Sequence, residues 1–324
     1  MANDDRNTIL VDFEPSTQVF LSDILQGMRK RPRSLPCKYF YDEVGSRLFD
    51  EICELEEYYL TRTELEVMQR FAGEMTEQIG PGVRLVEYGS GSSIKTRILL
   101  DHLERPVAYV PVDISREHLQ RTADELSVAH PDIEILPVCA DFTERFDLPE
   151  PDRTPTHSAV YFPGSTIGNF QPADALRMLA RIAPLCGTGG GLLIGIDLHK
   201  DVEIIEAAYN DKHGVTAEFN LNLLHRINRE LEADFDTDNF SHRAVYNTDL
   251  KRVEIDLVSD VAQTVCIDTE LFEFKAGEAI CTEYSHKYTI DGFADMAGDV
   301  GLTLRRHWMD DDALFGVLHF ALMR

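Results

Sequence analysis

Short apolar runs recur through the first two-thirds of this chain, each followed by a segment of helical character, and this alternation restricts the fold more than any other feature. Val83, Leu85 and Val86 form the first run, followed by VAYVPVD (Val107 to Asp113), IEILPVC (Ile133 to Cys139), SAVYF (Ser158 to Phe162) and GGGLLIGIDLHKD (Gly189 to Asp201). Runs this short and apolar suit buried strands, and strands alternating with helices build a doubly wound parallel α/β sheet. After about residue 201 the pattern changes. Residues 201 to 232 read as helical, and VEIDLVS, TVCID and AICTEYS between 243 and 285 read as antiparallel strands, so a second α+β lobe is expected there. From about Tyr288 a helix precedes two strands, LTLRRHW and FGVLHFALM, separated by the acidic turn Asp310 to Asp312.

The segment before the sheet is less regular. Residues 1 to about 16 are polar and without periodicity, which predicts a loosely attached arm. A short helix is predicted from Phe20 to Met28, and the stretch Lys38 to Glu64 is dense in aromatics: Tyr39, Phe40, Tyr41, Phe49, Tyr58 and Tyr59. Such a cluster is core material, although tyrosine hydroxyls also make good walls for a small polar ligand. Thr61 with Glu64 three residues later is a capping-box signature for a helix reaching about Gln78.

The first run ends in LVEYGSGSSIKT, Leu85 to Thr96, a strand, a glycine turn and a helix start. Two phosphate motifs nearly match it. A P-loop needs glycine where Ile94 stands, and the dinucleotide fingerprint fails at the same residue. A ligand without phosphate needs only the short glycine turn and an acid for its ribose hydroxyls. Asp113 ends the second run 22 residues beyond Gly91, close to the spacing of about 20 residues for a ribose-binding acid. Its alternative role is capping the next helix, which Ser115 could take instead. Asp141 and Phe142 follow the third run, where a carboxylate could meet an adenine amino group and a ring could pack on the base. Glu87, Asp113 and Asp141 therefore end three successive strands, the edge where open sheets bind ligands.

Composition excludes several functions. With 31 Lys+Arg against 57 Asp+Glu, the formal charge of −26 should repel nucleic acid and anionic membranes. No basic-then-apolar leader and no membrane-length apolar stretch is evident, so a cytoplasmic protein is expected. The six cysteines lack a CxxC pair and the eleven histidines lack HExxH, so no metal site is expected.

Eight motifs in order, YFYDEVGSRLFDEI, LEEYYLTRTE, VEYGSGSSIKTR, VPVDIS, ADFT, GSTIGNF, GVTAEFNLNLLHRIN and TEYSHKY, resemble the histidine-specific Nα-methyltransferase family of ergothioneine biosynthesis. The resemblance covers nearly the whole chain after about Thr17. It implies a Rossmann-like methyltransferase sheet, which the terminal strand pair suits, formed by residues 61–200 and 287–324 and binding S-adenosylmethionine. Residues 1–60 and 201–286 are then the substrate-binding lobe. It further implies donor contacts from Gly89, Lys95, Asp113, Asp141 and Phe142. Tyr58, Asn169 and Tyr209 would hold the amine and carboxylate of L-histidine and its mono- and dimethyl forms, with Tyr41 and Thr216 assisting and Asn169 and Tyr41 as the catalytic pair. Glu283 and Ser285 match the pair that reads the imidazole. Where RVEIDL has Ile255, some family members carry methionine, so packing against the imidazole would differ. A monomer is expected.

Overall fold

The computed structural model describes residues 10–13, 15–91 and 93–322; residues 1–9 of the expected arm lie outside the described residues. In chain order the elements are β1 (Val11–Phe13), α1 (Thr17–Arg29), β2 (Arg33–Ser34), α2 (Glu43–Cys53), α3 (Tyr59–Ile79), β3 (Val83–Tyr88), α4 (Ile94–His102), β4 (Ala108–Asp113) and α5 (Arg116–Ala129). There follow β5 (Glu134–Ile135), β6 (Val138–Ala140), β7 (His157–Phe162), α6 (Pro172–Cys186), β8 (Gly191–Asp197), α7 (Val202–Ala207) and α8 (Val215–Leu231). The remainder is β9 (Phe240–Asn247), β10 (Arg252–Ser259), β11 (Gln263–Ile267), β12 (Glu270–Phe274), β13 (Ala279–His286), α9 (Ile290–Gly298), β14 (Leu302–Met309) and β15 (Phe315–Leu322). They form two compact units, one of Leu60–His199 and Lys287–Arg324 together with β1, the other of Pro15–Tyr59 and Lys200–His286.

The first unit is an α/β sheet in the order β1-β6-β4-β3-β7-β8-β15-β14, with β5 beside β4. Pairing is parallel from β1 to β8, and β15 and β14 close the sheet antiparallel. Strand order reverses between β3 and β7, so the connections leaving these two strands part and open a crevice at their carboxyl ends. Both faces are buried. Period-two alternation sends Val86, Tyr88, Val110, Val160, Phe162 and Ile194 into one core, and Val83, Leu85, Tyr109, Ala159, Tyr161 and Leu193 into the other.

Three local expectations are corrected. Val11–Phe13, read as part of a loose arm, is a strand paired with Val138–Ala140; its first amide donates to the Pro137 carbonyl at 3.0 Å. The run Ile133 to Cys139 is broken into β5 and β6 at Leu136-Pro137, because proline has no N–H for the ladder. The Thr61 capping box does not form: α3 already begins at Tyr59, and Glu64 turns its carboxylate to Lys95 and to the Gly164 amide.

The chain leaves the first unit after β8 and re-enters it before α9, and these two points are joined. The Tyr288 N–H donates to the Asp197 carbonyl at 2.9 Å and the His199 N–H to the Tyr288 carbonyl at 3.0 Å. Beneath them Lys287 Nζ lies 2.7 Å from Asp197 Oδ2, both side chains without solvent exposure.

In the second unit, β2-β13-β10-β9 form a four-stranded sheet and β11-β12 a separate hairpin. Helix α8, with Phe219, Leu223, Leu224 and Ile227 buried, packs along β9 and against α2. Among the described residues no helix is long and apolar enough to cross a membrane.

Removing one partner of a buried ion pair leaves a charge in a medium that cannot solvate it. Lys287→Met should therefore lower stability by about 3–5 kcal/mol in urea unfolding, and adding Asp197→Leu should recover much of the loss.

Candidate active site

At the carboxyl end of β3 the chain turns through Gly89 (φ +72°) and Gly91 (φ +46°) into α4. Glycine adopts positive φ without the Cβ clash that other residues meet. The Gly89 N–H donates to the Val112 carbonyl at 2.8 Å, attaching the turn to β4. Asp113 accepts the Gly91 N–H at 3.0 Å on Oδ2 and the Ser115 N–H at 2.9 Å on Oδ1. One carboxylate thus braces the turn and starts α5, while each oxygen keeps acceptor capacity for a further donor. Ser115 sits at the N-cap of α5, yet its side chain makes no capping bond. Asp141, after β6, accepts the Thr143 N–H at 2.9 Å. The Phe142 ring stacks on Tyr88 with centroids 5.5 Å apart, and a Cβ on Gly89 would lie 3.8 Å from it.

Glu87 does not belong with these acids. Alternation along β3 turns it with Val83 and Leu85 into the core, where it is 1% exposed. It accepts the Thr96 hydroxyl at 2.5 Å and the Tyr109 hydroxyl. Burial pushes its carboxyl up to about 8, although the Thr96 and Tyr109 hydroxyls and Lys95 pull the other way. It supports the turn from below and offers nothing to a ligand above it.

Lys95, in the first turn of α4, places Nζ 2.5 Å from Oε2 of the fully buried Glu64. The same carboxylate accepts the Gly164 N–H at 3.0 and 3.2 Å from its two oxygens. Gly164 opens the loop after β7, where the Ser165 hydroxyl accepts the Asp197 N–H at 2.8 Å. The loop ends in a 3₁₀ turn, Thr166–Asn169, which carries the half-buried Asn169. Asn169 thus stands in the first unit, with the residues expected at the donor.

The other amino-acid candidates stand in the second unit. The Tyr58 and Tyr209 rings meet edge to face at 6.3 Å, and Tyr41 meets Phe49 at 5.6 Å and Phe219 at 5.7 Å. Burial, reinforced by neighbouring Tyr209, Cys53, Tyr41 and Glu283, raises the Tyr58 hydroxyl well above the usual phenol range. Tyr58 is therefore a hydrogen-bonding group at neutral pH and no base. The Tyr209 hydroxyl shares a 2.7 Å hydrogen bond with Ser285 Oγ. Thr216 lies in the first turn of α8, where Asp211 accepts the amides of Thr216 at 2.8 Å and Val215 at 3.0 Å, as well as that of His213 before the helix at 3.1 Å. Burial alone would raise the Asp211 carboxyl, but these donors hold it below the usual range.

A β-bulge decides where Glu283 and Ser285 point. Ile255 lies opposite Glu283 and Asp256 opposite Cys281, so Thr282 is an extra residue in β13. An extra residue reverses the alternation beyond it. Glu283 and Ser285 consequently share the side of their partners Ile255 and Val253, the buried side of β10, whereas unbroken alternation from Ile280 would turn them away. Helix α8 stabilises the bulge. The Thr282 hydroxyl lies 3.1 Å from the Ile255 carbonyl and 2.8 Å from Asn220 Oδ1, and the Asn220 amide donates to the Asp256 carbonyl at 3.1 Å and to His242 Nδ1 at 2.9 Å. His242, kept neutral by burial, completes the chain through Nε2 to the Tyr209 carbonyl at 2.9 Å.

The sequence profile described as "Histidine-specific methyltransferase, SAM-dependent" matches residues 20–322. The chain belongs to this family. It is 39% identical over 311 residues to the histidine N-alpha-methyltransferase of Mycolicibacterium smegmatis, covering 94% of this chain and 95% of that protein. The histidine N-alpha-methyltransferase of Mycobacterium tuberculosis is 40% identical over 302 residues, 91% of this chain and 92% of that protein. Ergothioneine biosynthesis protein 1 of Neurospora crassa is 35% identical over 201 residues, 61% of this chain and 23% of that protein.

The first unit suits the family's methyl donor in its local chemistry. Between the two glycines Ser90 is 5% exposed and its hydroxyl has no hydrogen-bond partner among the described residues. A buried hydroxyl left unpaired costs about 1–3 kcal/mol, which a polar ligand atom at the turn would relieve. Sequence reasoning passed over Ser90, Glu64, Asn220 and the Asp197–Lys287 pair. Only Glu64 gave a signal, and its position three residues after Thr61 pointed to helix capping instead.

The Glu87 carboxyl titrates near 4.5 in an unfolded chain and near 8 here. Folding therefore favours its protonated form, and the associated stability is fully present below about 4.5 and lost as pH rises through about 8. Glu87→Gln should flatten this decline when urea unfolding is followed from pH 5 to 8.

Proposed function

We propose that the chain transfers methyl groups from S-adenosylmethionine to the α-amine of L-histidine three times, giving the trimethylated betaine hercynine, the first step of ergothioneine biosynthesis. The observation that carries the histidine reading is the bulge at Thr282. It directs Glu283 and Ser285 to the side of Ile255, where Ser285 bonds Tyr209 and Glu283 acts on neighbouring Tyr58, as two polar groups suited to the two nitrogens of one imidazole. Family membership supports the reaction type.

The donor residues in this reading are Gly89, Lys95, Asp113, Asp141 and Phe142. When bound, the donor supplies an electrophilic methyl group on a sulfonium. The chain's own residues must then present a neutral amine with its lone pair free and aligned, so their work is orientation and exclusion of water. Tyr58, Asn169 and Tyr209 hold the amine and carboxylate, with Tyr41 and Thr216 assisting. The Asn169 amide carbonyl and the tyrosine hydroxyls can accept the remaining N–H groups and leave the lone pair exposed. Because the Tyr58 hydroxyl is held protonated, it orients the amine without abstracting its proton. Each round forms one N–C bond, breaks one S–C bond and releases one proton to solvent. The final quaternary ammonium has no N–H, and aromatic faces such as Tyr58 and Tyr41 stabilise such a cation by about 0.5–2 kcal/mol.

Incubation of the protein with S-adenosylmethionine and an amino-acid panel, read by mass spectrometry, should show histidine gaining three methyl groups and tryptophan none. Failure of histidine to gain them would refute the proposal. Glu283→Ala should raise KM for histidine by about tenfold or more, since a partly buried charged partner is lost; unchanged histidine kinetics would show that the imidazole is read elsewhere.

A further inference from the structure

One fully buried carboxylate in the first unit is used neither by the donor motifs nor by the amino-acid candidates. Glu64 enters from α3 and occupies a slot made by missing side chains. A Cβ on Gly195 would come 2.6 Å from its Oε1, too close for the carboxylate to stay where it is. Gly164, at φ +75°, presents its amide to both carboxylate oxygens. The Tyr161 hydroxyl lies 3.4 Å from Oε1, and Lys95 Nζ 2.5 Å from Oε2. A single carboxylate therefore joins the start of α4 to the start of the loop that ends in Asn169.

We infer that Glu64 is a positioning residue for methyl-donor binding, acting through Lys95; this rests on the reading that Lys95 contacts the donor. A lysine side chain has a flexible four-carbon stem and a compact charge, so its placement depends on what anchors the ammonium. Here the anchor is a carboxylate with no solvent around it, so its Coulomb attraction for Lys95 is screened less than between two surface groups. Glu64 takes up one of the three ammonium N–H groups of Lys95, whose side chain stays one-fifth exposed. Through the Gly164 amide the same anchor sets where the Asn169 loop begins. The competing view is that Glu64 only staples α3 to the sheet. The two views differ in whether its effect passes through Lys95.

A double-mutant cycle separates them. Glu64→Gln keeps the shape and an acceptor for the Gly164 amide but removes the charge that holds Lys95. S-adenosylmethionine binding is titrated calorimetrically for the unaltered chain, Glu64→Gln, Lys95→Met and the double variant, with circular dichroism checking that each is folded. Glu64→Gln should weaken donor binding by about tenfold, and in the Lys95→Met background it should change binding by less than about twofold. Equal weakening in both backgrounds, or none in the unaltered chain, would overturn the inference. If Glu64→Gln does not fold, Glu64→Asp, whose shorter side chain withdraws the charge from Lys95, takes its place in the same cycle. Absence of donor binding by the unaltered chain would overturn the donor reading itself, and this inference with it.

Discussion

A parallel sheet covered on both faces has no place for polar chemistry along its strands, and the first unit is built under that constraint. β8 is buried at all seven positions, and β3, β4 and β7 at all but one each. Polar side chains and free amides can therefore gather only where strands end, and the reversal of strand order between β3 and β7 selects one edge for them. The glycine turn, Asp113 and the loop to Asn169 follow carboxyl ends at or beside that reversal, and Asp141 follows the next strand out on the same edge. Charges that do lie inside come with partners: Glu64 with Lys95, Asp197 with Lys287. Glu87 has hydroxyl donors and a raised pKa instead, which is the other way a buried carboxyl can be accommodated.

The second unit solves a different problem. Its sheet has one buried face and one open face, so the direction of each side chain depends on register. One extra residue, Thr282, moves Glu283 and Ser285 from the face that simple alternation would assign them to the face of Ile255. Beside the reversal the Thr282 hydroxyl and the Asn220 amide bond the Ile255 and Asp256 carbonyls, and the chain of bonds continues through His242 to the backbone of Tyr209. The residue that shapes the proposed imidazole contact and the one that shapes the proposed amine contact are thus fixed by one polar network.

Much of this was legible in the sequence because it is local. Apolar runs between glycine turns mark strands buried on both faces, and the terminal strand pair marks how the sheet closes. Gly89 and Gly91 announce a turn with positive φ, and Ile94 departs from the pattern of a phosphate loop. The resemblance to the histidine-specific methyltransferases lies in ordered motifs that residue identity alone can display. The errors were also local in origin: Thr61 and Glu64 have the spacing of a capping box, and Glu87 the position of a ligand acid, until their neighbours in space are known.

By itself, then, the sequence determined the strand and helix alternation, the glycine turn and the residue types available at each strand end, since these depend on near neighbours in the chain. Only the tertiary structure decided which carboxylates face inward, which cation each one holds and which way Glu283 and Ser285 point. Those outcomes depend on partners far apart in sequence: Lys95 on Glu64, Lys287 on Asp197, and the bulge at Thr282 on Asn220 from another element. A buried charge or a bulged carbonyl must be satisfied by whatever the fold brings to it, and periodicity along one strand carries no record of that partner.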